Sequence, residues 1–162
     1  MRNFTAWRAA GLLPKRGFTL IELLATLMIL AIIAFAAAPS FSSMVATQRA
    51  RNAALDLSAA VSLTRSEAVK RNSTITMAAS SAWASGWSVT AGTEKVRSFG
   101  PYDGIAITAS AGNSLAIGND GRPATGSLTF QVAPSVSPQP ASTICVQVSG
   151  TGRIAVVSGA CT

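Results

Sequence analysis

Histidine is absent from the 162 residues. That removes Ser-His-Asp and Cys-His nucleophiles, and every histidine-ligated metal, from consideration. Two cysteines are too few for a Cys₄ zinc site or an iron–sulfur cage. Six carboxylates are scattered along the chain and leave little for acid–base chemistry. There is no P-loop to hold a nucleotide. Charged residues make up only 12% of the chain, about half the usual quarter. With 49% hydrophobic residues the chain is nevertheless no candidate for disorder. These shortages point away from an enzyme, and no cofactor is expected.

What charge there is lies unevenly. Four of the thirteen cations, Arg2, Arg8, Lys15 and Arg16, fall in the first sixteen residues, which hold no acid. Nine cations against six carboxylates remain from residue 17 onward. The high pI thus belongs largely to the N-terminus and is weak evidence for nucleic-acid binding. Basic residues just before an apolar run hold that end on the cytoplasmic side of a membrane.

The apolar run follows at once. Between Gly17 and Ala38 the only charge is Glu22. As a helix, residues 18–38 would span about 32 Å, the thickness of a hydrocarbon core. A transmembrane helix with a cytoplasmic N-terminus fits. A cleaved secretory signal is the alternative, since Ala36-Ala37-Ala38 resembles a small-residue cleavage site. Against it stand a carboxylate in the apolar core, costly in lipid, and Pro39 as the first residue left after cleavage.

Residues 15–22 read Lys-Arg-Gly-Phe-Thr-Leu-Ile-Glu. This resembles the leader and cleavage site of type IV pilins and type II secretion pseudopilins. The resemblance implies that a prepilin peptidase cuts between Gly17 and Phe18 and that Phe18 is N-methylated. It implies that Glu22, the fifth mature residue, pairs with the N-terminal ammonium of a neighbouring subunit during assembly. A buried carboxylate needs such a partner, and the first helical turns favour its charge. Pro39 falls at the twenty-second mature position, where pilins commonly carry a kinking proline. It would either kink a continuous helix or end the helix at the membrane edge.

Residues 41–71 keep helical spacing. Ala50, Ala53/Ala54, Leu57, Ala60/Val61, Thr64 and Ala68 recur at steps of three and four, a stripe suited to packing on a sheet. Glu67 stands four residues before Arg71, the favourable order for a helical ion pair. No Gly or Pro intervenes from Phe41 to Asn72, and Asn72-Ser73 offers a stop. One helix from Phe18 to Arg71 would be roughly 80 Å long. The segment Arg65–Asn72 resembles a stretch common in the FimT/GspH branch of the pilin-like family.

Beyond residue 72 short β runs take over: Thr74–Ala79, Gly86–Ala91, Lys95–Phe99, Ile105–Ala109, Ser114–Ile117, Ser127–Val132, Ile144–Ser149 and Arg153–Ser158. Turn clusters separate them, and Ser149-Gly150-Thr151-Gly152 joins the last two as a hairpin. Ala133–Ser142, with three prolines, reads as a loop. Trp83-Ala84-Ser85-Gly86-Trp87, and Asp120-Gly121-Arg122 before a Leu-Thr-Phe strand, also resemble the FimT/GspH branch. The tryptophans read as core or sheet-edge aromatics. A long helix on an antiparallel sheet is an α+β, pilin-like fold.

Cys145 and Cys161 flank the terminal hairpin. In an oxidising periplasm they would form a disulfide. Two reduced, buried thiols are the other reading. Gly152-Arg153-Ile154-Ala155 partly resembles a Gly-Arg-x-Arg motif associated with DNA binding in some FimT proteins, but Ala155 replaces the second arginine. The cations to weigh for DNA contact are Arg153, Arg122, Lys95 and Arg97.

The resemblance therefore implies a minor pilin or pseudopilin of the FimT/GspH type. Its parts would be a leader (1–17), a membrane or filament-core helix (18–39), an amphipathic helix (40–72) and a periplasmic β domain (73–162). The partners it implies are other pilins or pseudopilins, the prepilin peptidase/N-methyltransferase and the inner-membrane assembly platform. A DNA-binding pilin for DNA uptake and an ordinary exported β domain stay open as alternatives.

Overall fold

The computed structural model describes residues 17–136 and 142–162. Helix α1 runs Leu20–Arg71, followed by eight strands: β1 Ile75–Ala79, β2 Trp87–Ala91, β3 Glu94–Phe99, β4 Ile105–Ala109, β5 Ser114–Ile117, β6 Leu128–Pro134, β7 Ile144–Val148 and β8 Ile154–Ser158. A 3₁₀ turn, Trp83–Ser85, sits between β1 and β2. The chain divides into two units, one ending at Pro39 and the other covering Ser40–Thr162.

In the first unit α1 starts at a cap that the sequence encodes. The Glu22 N–H donates to Thr19 Oγ1 at 3.3 Å. Thr19-Leu20-Ile21-Glu22 has the spacing of a capping box. Every large apolar side chain from Phe18 to Phe35 is exposed. A helix apolar all round suits a lipid or helix-bundle environment rather than water.

The second unit is built on the rest of α1. Ala50, Ala53, Ala54, Leu57, Ala60, Val61, Thr64 and Ala68 are all buried, the stripe that the spacing predicts. Thr64 satisfies its hydroxyl within the helix by donating to the Ala60 carbonyl at 2.7 Å. The helix stops where Asn72 turns left-handed, at φ 49°. Ser73 N–H then reaches back to Ala68 O at 3.1 Å, and Asn72 N–H to Val69 O at 3.3 Å. This is the Schellman closure, and Asn tolerates it better than most residues.

Two four-stranded sheets, antiparallel throughout, pack with this helix, in the orders β3-β2-β1-β5 and β4-β6-β7-β8. The core joins α1 to both sheets through Met77, Leu115, Phe130, Val146 and their neighbours. Trp83 and Trp87 are core residues, at 3% and 2% exposure. Trp83 meets Phe130 edge-on at 4.9 Å and donates Nε1 to Gly112 O at 2.8 Å.

All eight β runs read from the sequence are strands; those over 105–109 and 114–117 agree at both ends, five others differ by one residue at one end, and β6 differs at both. The loop expected over 133–142 starts later, because Ala133 and Pro134 belong to β6 and pair with Ala106 and Ile105. Pro134 is tolerated because the ladder to β7 ends at Val132↔Ile144, so its missing N–H faces no partner strand there. Residues 137–141 of that expected loop, and residues 1–16 of the expected leader, lie outside the described residues.

Candidate functional site

Two places carry the residues that the sequence singles out. The first is the start of α1. Gly17, Phe18 and Thr19 precede the helix, and Glu22 falls in its first turn. An exposed Gly17-Phe18 junction outside the helix is what a protease can engage. A carboxylate one turn into a helix is favoured by the N-terminal dipole. Pro39 does not end the helix, since α1 continues past it to Arg71. Thr19 escaped the sequence reading, although the capping-box spacing was there to find it.

The second is a groove of about 1000 Å³ beside the C-terminal half of α1, faced by the hairpin 149–152. Arg65, Lys70 and Arg153 supply charge, Ser62, Ser66 and Thr151 hydroxyls, and Val69 and Ile154 apolar surface. Among the described residues no carboxylate lines it. Arg65, which the sequence reading passed over, donates Nη1 to the Gly152 carbonyl at 3.1 Å and so ties helix to hairpin. Gly152 has φ 77°, and a Cβ there would run into the Gly121 carbonyl oxygen. The glycine of the Gly152-Arg153 pair is therefore required by close packing.

The four candidate DNA contacts fall in different places, although Arg122 and Arg153 follow Gly121 and Gly152, which lie against each other. Arg153 alone lines the groove. Arg122 lies on the loop after β5 with Asp120 at 3.9 Å. Lys95 and Arg97 sit on β3, at the edge of the other sheet. Arg97 stacks over the Phe99 ring at 4.9 Å.

At the end of α1, Arg71 bridges Glu67 Oε2 at 2.7 Å and Glu94 Oε2 at 2.6 Å. The Arg71 hydrogen bonds hold both carboxyls below the usual range, and those to Glu94 and then Glu67 push the guanidinium up. Nearer the middle, Tyr102 donates its hydroxyl to Asp56 Oδ2 at 2.9 Å. Burial first, and Asp56 second, raise the phenol above its ordinary value. Tyr102 also stacks on Trp87, and Trp87 on Phe99, at 5.0 and 5.7 Å. Cys145 and Cys161 form a disulfide with Cα atoms 5.1 Å apart. Among the described residues no group of three or more Cys, Asp or Glu could hold a metal ion.

Residues 53–152 match the family described as type II transport protein GspH. The chain belongs to that family. Residues 13–38 of this GspH-family chain match the prokaryotic N-terminal methylation motif. The fold is that of the type IV minor pilin FimU of Pseudomonas aeruginosa, with a TM-score of 0.59 at 20% identity, over 66% of this chain and 87% of that one. It is also that of the minor pseudopilin EpsH of Vibrio cholerae, with a TM-score of 0.54 at 13% identity, over 68% and 97%. No curated protein sequence matches the chain. Family and motif make it a minor pilin or pseudopilin, a member of a family of structural subunits that assemble with other pilins and are processed by prepilin peptidase.

Proposed function

We propose that the chain is made as a precursor, cut between Gly17 and Phe18, methylated on Phe18, and built into a pilus or secretion pseudopilus through its N-terminal helix. The observation that carries this is a helix with every large apolar side chain exposed as far as Phe35, with a single carboxylate, Glu22, in its first turn. Such a rod is insoluble alone. It rests in the inner membrane, N-terminus inside, until neighbouring helices replace the lipid. Glu22 sets register by pairing with the methylated ammonium of an adjacent subunit, which satisfies a charge that is costly in lipid. The disulfide-bonded β domain lies on the periplasmic side and is carried on the fibre surface.

The intact mass of the protein recovered from membranes tests this. A chain that begins at methylated Phe18 is expected. A chain that begins near Pro39 would instead be an ordinary exported domain and would overturn the proposal.

A further inference from the structure

The two sheets have four edge strands, and three are blunted. Strand β3 carries Glu94, Lys95 and Arg97, the charged pattern that discourages pairing. Strand β4 lies against the 3₁₀ turn 83–85. Strand β5 is closed by the following loop, where Ile117 bridges Pro123 and Ala124 N–H bonds Ala116 O at 2.9 Å. Among the described residues strand β8 has none of these protections. Its one partner among the described residues is β7, and residues 154–162 hold no charge and no proline.

The register says which backbone groups β8 leaves open. Ser149 N–H bonds Arg153 O at 2.9 Å, and Gly159 N–H bonds Thr143 O at 2.8 Å. Odd-numbered residues therefore bond β7, and Ile154, Val156 and Ser158 turn their N–H and C=O outward. The same three residues border a trench. Ile154 lines the groove with Arg65, Lys70 and Arg153. Val156 and Ser158 line a second hollow of about 250 Å³ with Arg51 and Leu55 of α1. Beyond Pro39, Leu55, Val69, Val156 and Val157 are four of the seven large apolar side chains that stay exposed. Apolar surface collected beside an open edge marks an interaction site. Among the described residues the charge along it is of one sign, with Arg51 at one end, Arg65 and Arg153 at the other, and no carboxylate lining either hollow. Lys70 shares its charge with Glu67 at 3.5 Å.

We infer that β8 is a docking edge. An extended segment of a partner protein, with apolar residues at alternate positions and carboxylates toward its ends, adds to the second sheet along Ile154–Ser158 and lies in the trench against α1. Main-chain bonds to the three outward residues supply affinity, and the cations fix position. This surface is separate from the assembly helix, so it stands or falls independently of residues 18–38.

The test uses the mature full chain in detergent micelles. The probe is a synthetic peptide of alternating valine and threonine with two glutamates at each end. Amide hydrogen exchange at Ile154, Val156 and Ser158 is expected to slow at least tenfold on saturation, while Ala155 and Val157, already bonded to β7, stay unchanged. Val156→Pro removes an outward donor without touching the ladder and is expected to abolish binding while leaving the unfolding midpoint in place. Arg153→Glu should weaken binding several-fold at low salt, and a lysine-ended peptide should recover it. If Val156→Pro does not fold, the exchange pattern of the unaltered chain decides alone. Absence of binding, binding without slowed exchange at those three amides, or duplex DNA occupying the trench in preference to the peptide overturns the inference.

Discussion

From Leu20 to Phe35 every large side chain of α1 is exposed, whereas from Ala50 to Ala68 its contact stripe is buried to 1% or less. The two stretches share a backbone geometry and differ in side-chain arrangement. The first is apolar on all sides. The second buries one apolar stripe, five of its residues alanines, and leaves serine, charge and a few apolar side chains such as Leu55 on its other faces. Alanine lets a helix approach a sheet closely, and leucine and isoleucine all round leave a helix seeking lipid or other helices. The second stretch has its packing partners within the fold, and the first, on the function proposed above, takes them from lipid or other subunits.

Changes at the first stretch should abolish assembly and spare the fold, and changes at the second should do the reverse. The largest effect expected is from Gly17→Val, which leaves only precursor mass and none of the subunit in the fibre fraction. Glu22→Ala should still be cut but lose most fibre incorporation, read by immunoblot of sheared fibres. In the second unit, Phe130→Ala should cost about 3–5 kcal/mol in urea unfolding with cleavage at Gly17 unaffected. Reducing the Cys145–Cys161 bond should cost about 3 kcal/mol in the chain-entropy picture, seen as a lower midpoint in dithiothreitol. Tyr102→Phe should cost about 1 kcal/mol near neutral pH for the lost hydrogen bond. Because the native phenol titrates above its unfolded value, its contribution is complete below about pH 10 and fades as pH rises further. The variant and parent midpoints should therefore converge in alkali. Smallest is Arg71→Ala. Native Glu67 and Glu94 titrate below their unfolded values, so the stabilisation exists above the ordinary carboxylate range and is lost as pH falls through it. Parent and variant should differ slightly at pH 7 and coincide in acid. A clear difference that persists in acid would show another role for Arg71.

Periodicity made most of this architecture readable. Spacing of three and four placed the buried stripe of α1, and turn residues bracketed all eight strands. The processing site proposed above rests on a contiguous run, from Lys15 to Glu22, and so needs no tertiary structure to be put forward. What stayed hidden is what only the tertiary structure brings together. Arg65 looked like one cation among several until the hairpin placed the Gly152 carbonyl beside it. Asp56 and Tyr102 lie forty-six residues apart, so no local pattern could link them. Pro134 looked like a loop residue because tolerance of proline depends on where the neighbouring ladder stops. The division into two separate sheets likewise follows from pairings between distant strands.

Tyr102 is the chain's one tyrosine, and its hydroxyl bonds a carboxylate on the helix. Phenolate absorbance in the ultraviolet would therefore come from a single chromophore at the seam between helix and sheet. A spectrophotometric alkaline titration needs no label to report whether that seam is closed. The same reading taken on free subunits and on assembled fibres would show whether polymerisation loosens the join.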